Sequence, residues 1–140
     1  MRTEVNNAVL IIDSDLGFAF WLGQALDRAG YEAFPARNVA DSVALLSEIP
    51  MVPRLVIFGG NPAGADALID KCRTRHKDLR VLRLRDDSQP ISVPAFPFDA
   101  EIGKPASRTE EDRAELLRAI DRVTPSEASQ SPAVSLPLAR

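Results

Sequence analysis

Four short clusters in this sequence carry groups able to do chemistry, and each stands at the end of an apolar run. Asp13-Ser14-Asp15 follows AVLII, and Gly59-Gly60 follows LVIF. Arg85, with Asp86 and Asp87 beyond it, follows VLRL, and Lys104-Pro105 follows Ile102-Gly103. Paired carboxylates suit a hard divalent cation, a glycine turn ahead of a helix suits a phosphate, and lysine or arginine suits an anion. Two further residues stand alone. His76, the only histidine, lies in the charged run RTRHK with no second ligand near it in sequence, which argues against a metal role. Cys72, the only cysteine, falls on the apolar side of a helix and reads as buried filler, since no base is indicated beside it.

The runs that carry these clusters alternate between two periods. Ala8–Ile12 is continuously apolar, as expected of a strand buried on both faces. Asp13-Ser14-Asp15 then caps a helix in which Phe18, Trp21, Leu22, Ala25 and Leu26 recur at helical spacing, stopped by Gly30. Tyr31–Ala36 is a second strand, and Pro35 puts it at a sheet edge. Asn38 or Asp41 caps a helix with Val43, Leu45, Leu46 and Ile49 inward, ended by Pro50. A third strand, Leu55–Phe58, precedes a helix over Asp66–His76 with Leu68, Ile69 and Cys72 inward. Val81–Leu84 is a fourth strand, Ile102 lies in a fifth, and Glu110–Val123 is a closing helix facing inward with Leu116, Leu117, Ile120 and Val123. Strands alternating with helices of this length predict βαβ units, a parallel sheet covered on both faces, and one edge that collects every strand's carboxyl end.

The 140 residues fit one domain, with 1–7 as an N-terminal extension, 8–123 folded, and 124–140 as a flexible tail rich in Ser, Pro and Ala. A net charge of -3 gives no electrostatic case for nucleic acid or an anionic membrane surface. The single cysteine and the absence of a signal-peptide pattern in MRTEVNN point to a soluble cytoplasmic protein.

From Val9 to Val123 the chain resembles the receiver domain of bacterial two-component response regulators. The matching motifs are LIIDSD, RAGYEA, the ungapped stretch Pro53–Leu68 with Gly64 and Asp66 on usual family positions, and Gly103-Lys104-Pro105. The resemblance implies a flavodoxin-like α/β fold, a doubly wound parallel (βα)5 sheet in strand order 2-1-3-4-5. It also implies a site at the strand ends. There two acids after the first strand and an Asp ending the third hold Mg²⁺, and that Asp accepts a phosphoryl group. A Ser or Thr ending the fourth strand and a Lys after the fifth bind the phosphate.

Position by position, Asp13 matches the first acid and Lys104 the lysine, while the rest departs from the pattern. Ser14 stands in place of the second acid, Gly59 in place of the phosphoacceptor, and Arg85 in place of the Ser or Thr. Glycine has no carboxylate and cannot form an acyl phosphate, and Ser14 is a neutral, weaker ligand. Asp13, Ser14, Asp15, Gly59, Arg85 and Lys104 therefore read as a vestigial pocket, with no catalytic residue, no cofactor and weak or absent Mg²⁺ binding. Arg85 or Lys104 is expected to pair with Asp13 or Asp15 and neutralise it in the metal's stead, with a plain surface role for Arg85 as the alternative.

Between the fourth and fifth strands, RDDSQPISVPAFPFDAE carries Pro90, Pro94 and Pro97. Interior prolines cost about 3 kcal/mol each in a helix, so the receiver's fourth helix is expected to be irregular or shortened. Phe96 and Phe98 are expected to pack back onto the core in its place, with an exposed apolar patch for a partner as the alternative. These features predict a stand-alone, unphosphorylated receiver in phosphorelay-type signalling. Such a module would act by contact with a protein partner of unknown identity, alone or as a homodimer, without nucleic acid or membrane. Two rivals stand beside it: a flavodoxin-like module binding a nucleotide or anion through Gly59, Gly60 and Lys104, and an enzyme, for which no nucleophile–base pair speaks.

Overall fold

The structure, a computed structural model, describes residues 5–86 and 96–124. Five strands, β1 (Val5–Ile12), β2 (Glu32–Ala36), β3 (Met51–Gly59), β4 (Arg80–Arg85) and β5 (Ala100–Gly103), form one sheet in the order β2-β1-β3-β4-β5. Every neighbouring pair is parallel. This is the flavodoxin-like order expected from the sequence. Among the described residues four helices cover it: α1 (Leu16–Arg28), α2 (Val39–Glu48), α3 (Ala65–Arg73) and α4 (Glu110–Val123).

The sheet divides the core in two. Leu10, Ile12, Val56, Phe58 and Val81 point to the side of α2 and α3, where Leu46, Leu68, Ile69 and Cys72 meet them. Val9, Ile11, Leu55, Ile57, Leu82 and Leu84 point to the side of α1 and α4, against Phe18, Leu22, Leu26, Leu116 and Ile120. Residues 8–12 and 55–58 are buried on both faces, which is why those strands read as unbroken apolar runs. Val43, expected inward, is instead one of the exposed apolar residues, because α2 turns the stripe Ser42, Leu45, Leu46 to the sheet.

Two strands are longer than their apolar runs. β1 begins at Val5, not Ala8, and β3 at Met51, not Leu55. Proline and arginine in Met51-Val52-Pro53-Arg54 hide the strand from a pattern search. The lattice tolerates Pro53 because the β1–β3 register shifts on both sides of its partner Ala8, next to Asn7 at φ 60°. Arg54 also finds a partner there, its Nη1 donating to Asn7 Oδ1 at 2.6 Å. α3 stops at Arg73, three residues short of the expected His76, where the Thr74 hydroxyl donates to the Lys71 carbonyl at 2.7 Å.

β2 is an edge strand, as Pro35 indicated, and its free edge is blunted. The Ala33 N–H donates to Asp27 Oδ1 at 3.2 Å, and Pro35, two residues on, has no N–H. Two successive donors on the outer edge are thereby unavailable to an added strand.

The segment joining β4 to β5 is described only at its ends. Neither Asp86 nor residues 96–99 are helical; the expectations for 87–95, and for the tail from 125, lie outside the described residues. Phe96 is buried, 5% exposed, with its ring centroid 4.7 Å from that of Phe58. Phe98 is 37% exposed and leans its edge on Phe96, so only the first of the two aromatics packs into the core.

Candidate functional site

The carboxyl ends of β1, β3, β4 and β5 line one edge of the sheet and place the sequence-derived residues there. Asp13 follows β1 and is buried, 5% exposed, with its N–H bonded to the Ala36 carbonyl at 3.1 Å. Its Oδ1 accepts the Asp15 N–H at 2.9 Å. Its Oδ2 lies 3.0 Å from Lys104 Nζ, a charge contact rather than an aligned hydrogen bond. Lys104 stands just past β5, pinned by its own N–H to the Arg85 carbonyl at 2.7 Å. Its ammonium also rests 4.6 Å from the centre of the Phe18 ring.

Gly59 completes this inner group. A Cβ built on it would stand 2.2 Å from Asp13 Oδ2 and 2.7 Å from Asp13 Cγ. The space of a side chain at the end of β3 is thus taken by the Asp13 carboxylate, drawn across by Lys104. Gly59 is needed for room, whereas Gly60, at φ 74°, and Gly64, at φ 84°, are needed for backbone conformation. Gly59→Ala should accordingly cost about 1–3 kcal/mol by overpacking, read as a lower urea midpoint at unchanged m-value. Combining it with Asp13→Ala should relieve the clash and make the pair of changes far from additive.

Of the two cations expected to pair with Asp13 or Asp15, it is Lys104 that does so, at Asp13. Arg85 is half-exposed and reaches Glu101 on β5 at 3.3 Å, beside the buried Arg83, which also pairs with Glu101. Asp15 is met by Arg108, at 3.3 Å, a residue that the sequence pattern did not single out. Gly17 in the first turn of α1 is a poor helix former, and a Cβ there would lie 3.3 Å from an Arg108 guanidinium nitrogen. Ser14 is exposed.

Asp15 also serves the helix, its Oδ1 accepting the Phe18 N–H at 3.2 Å as the N-cap of α1. Both carboxylates thus face cations supplied by the loop after β5. Among the described residues no three His, Cys, Asp or Glu side chains gather as a metal-ligand group. Cys72 is buried in the α3 core, and desolvation pushes its thiol up to about 11, so it stays protonated and unreactive at neutral pH. No helix among the described residues is long and apolar enough to cross a membrane.

No protein-family model matches the chain, and no curated protein matches it in sequence. Solved structures do. The chain is similar to a CheY-like response regulator receiver domain of Methanospirillum hungatei, at 19% identity and TM-score 0.59, covering 83% of this chain and 91% of that one. It is similar to the response regulator TrrA of Thermotoga maritima, solved with Mg²⁺ and BeF, at 18% identity and TM-score 0.59, over 84% and 98%. It is also similar to an atypical orphan response regulator described as having a phosphorylation-independent regulatory mechanism, at 21% identity and TM-score 0.59, over 84% and 94%. At these identities the likeness establishes the fold, which is that of receiver domains.

Proposed function

We propose that this chain is a receiver-like signalling module that takes up no phosphoryl group and acts through protein–protein contact. One observation carries the reading: the room for an acceptor side chain at Gly59 is filled by Asp13, locked to Lys104. In a receiver fold the same three positions would supply acceptor, metal ligand and phosphate-binding cation. Here Gly59 has no nucleophile, Asp13 is already neutralised, and Lys104 is already paired.

The donor set does not fit Mg²⁺. The Asp13 carboxylate is shared between a backbone N–H and an ammonium, and that of Asp15 between a backbone N–H and a guanidinium. The third donor in the cluster is a neutral hydroxyl, Ser14, too little charge for a cation that sheds its waters reluctantly. The arrangement likewise lacks a nucleophile–base pair for an enzymatic role. The partner, on this reading, is another signalling protein, a second copy of this chain included, and neither nucleic acid nor membrane is required. The neighbour described as an atypical orphan regulator with a phosphorylation-independent mechanism supports this reading.

Incubation with acetyl phosphate and Mg²⁺, or with beryllofluoride and Mg²⁺, should leave the intact mass and the amide NMR spectrum unchanged. A stoichiometric adduct on Asp13, Asp15, Asp86 or Asp87 would overturn the reading.

A further inference from the structure

We infer that the loop from Lys104 to Thr109 is a two-point latch across the β1–α1 turn, with a buried anchor and an exposed release point.

The anchor is Lys104–Asp13, whose side chains are 16% and 5% exposed. The release point is Arg108–Asp15, with side chains 46% and 50% exposed. A pair this accessible is screened by salt, with a Debye length of about 3 Å at 1 M, whereas the buried pair is screened far less. The two points are mechanically joined. The Asp15 N–H holds Asp13 Oδ1, so the acids that receive the two cations share one turn. On the other side Pro105 limits the loop's freedom, and Thr109 fixes its end by accepting the Asp112 N–H at 3.1 Å as the N-cap of α4. The Ser107 hydroxyl adds a bond to Asp112 Oδ2 at 2.6 Å.

Arg108 is poised for release. It lies over the first turn of α1, against Gly17, where the helix dipole disfavours a cation. Among the described residues only the Asp15 carboxylate compensates it there. An anionic group on a partner could draw the guanidinium away, freeing the loop while Lys104 still holds the floor of the site. The starts of α1 and α4 would then move independently of one another.

Amide hydrogen exchange resolved by NMR tests this on the full chain. Raising NaCl from 50 mM to 1 M should speed exchange at the Phe18 and Asp112 amides, which the caps Asp15 and Thr109 hold at the two ends of the latch, by about two- to threefold, the size expected for loss of an exposed ion pair. Arg108→Gln should show that faster exchange already at low salt and no further salt response. Asp15→Asn should do the same, because asparagine caps a helix as well as aspartate does and removes only the charge. Amides of β1 and β3 serve as the internal reference. Equal salt responses in the wild type and Arg108→Gln, or no response in either, would sink the latch.

Discussion

Lys104→Met should lower the unfolding free energy by about 3 kcal/mol, the lower end of what removing one partner from a buried ion pair costs. The change leaves Asp13 charged in a site where it is 5% exposed, with one backbone N–H as its remaining bond. Methionine is the informative replacement, since it keeps an apolar stem and a polarisable atom against the Phe18 ring beneath Lys104. The loss measured is then that of the charge rather than of packing. Adding Asp13→Asn should recover most of it, because the amide oxygen still accepts the Asp15 N–H while the orphaned charge is gone. Urea unfolding of the four proteins closes the cycle. A single-variant cost under about 1 kcal/mol, or additivity in the double variant, would mean that the bridge does not hold the site together.

Phe96→Ala should be as damaging, at about 3 kcal/mol, although the described residues 96–99 belong to neither a strand nor a helix. Its ring fills the space over Phe58 on the α3 side of β3 and is 5% exposed. The cavity left behind cannot close readily, because the neighbouring strand residues are fully buried and already close-packed. Phe98→Ala should cost less than about 1 kcal/mol, since that ring is 37% exposed and loses little contact. The contrast, read from thermal or urea midpoints, separates a core anchor from a surface aromatic two residues away. Equal effects would show that both rings, or neither, secure the β4–β5 connection.

The sequence was most informative where a residue's neighbours along the chain decide its fate. The apolar runs 8–12 and 55–58, the caps at Asp15 and Asn38, and Pro35 at an edge all follow from backbone sterics and local burial. Alternation of strands and helices then leaves few topologies, so the parallel order and the gathering of Asp13, Gly59 and Lys104 at one sheet edge were legible. That β3 ends in a residue without a carboxylate was legible too, since Gly59 is written in the sequence itself.

What the tertiary structure decided is which charge meets which. Arg85 and Lys104 are equivalent in sequence as cations at strand ends. Yet Arg85 reaches across to Glu101 on the neighbouring strand, while Lys104 turns inward over Phe18 to Asp13. Arg108 carried no periodic signal and is brought to Asp15 by the course of a loop. The extended starts of β1 and β3 likewise depend on a register shift that places a proline where a ladder bond is not needed. Periodicity reports a residue's burial against its own element. Ion pairs and register arise between elements far apart in the chain, where the choice among partners rests on differences of an ångström or two that no local pattern encodes.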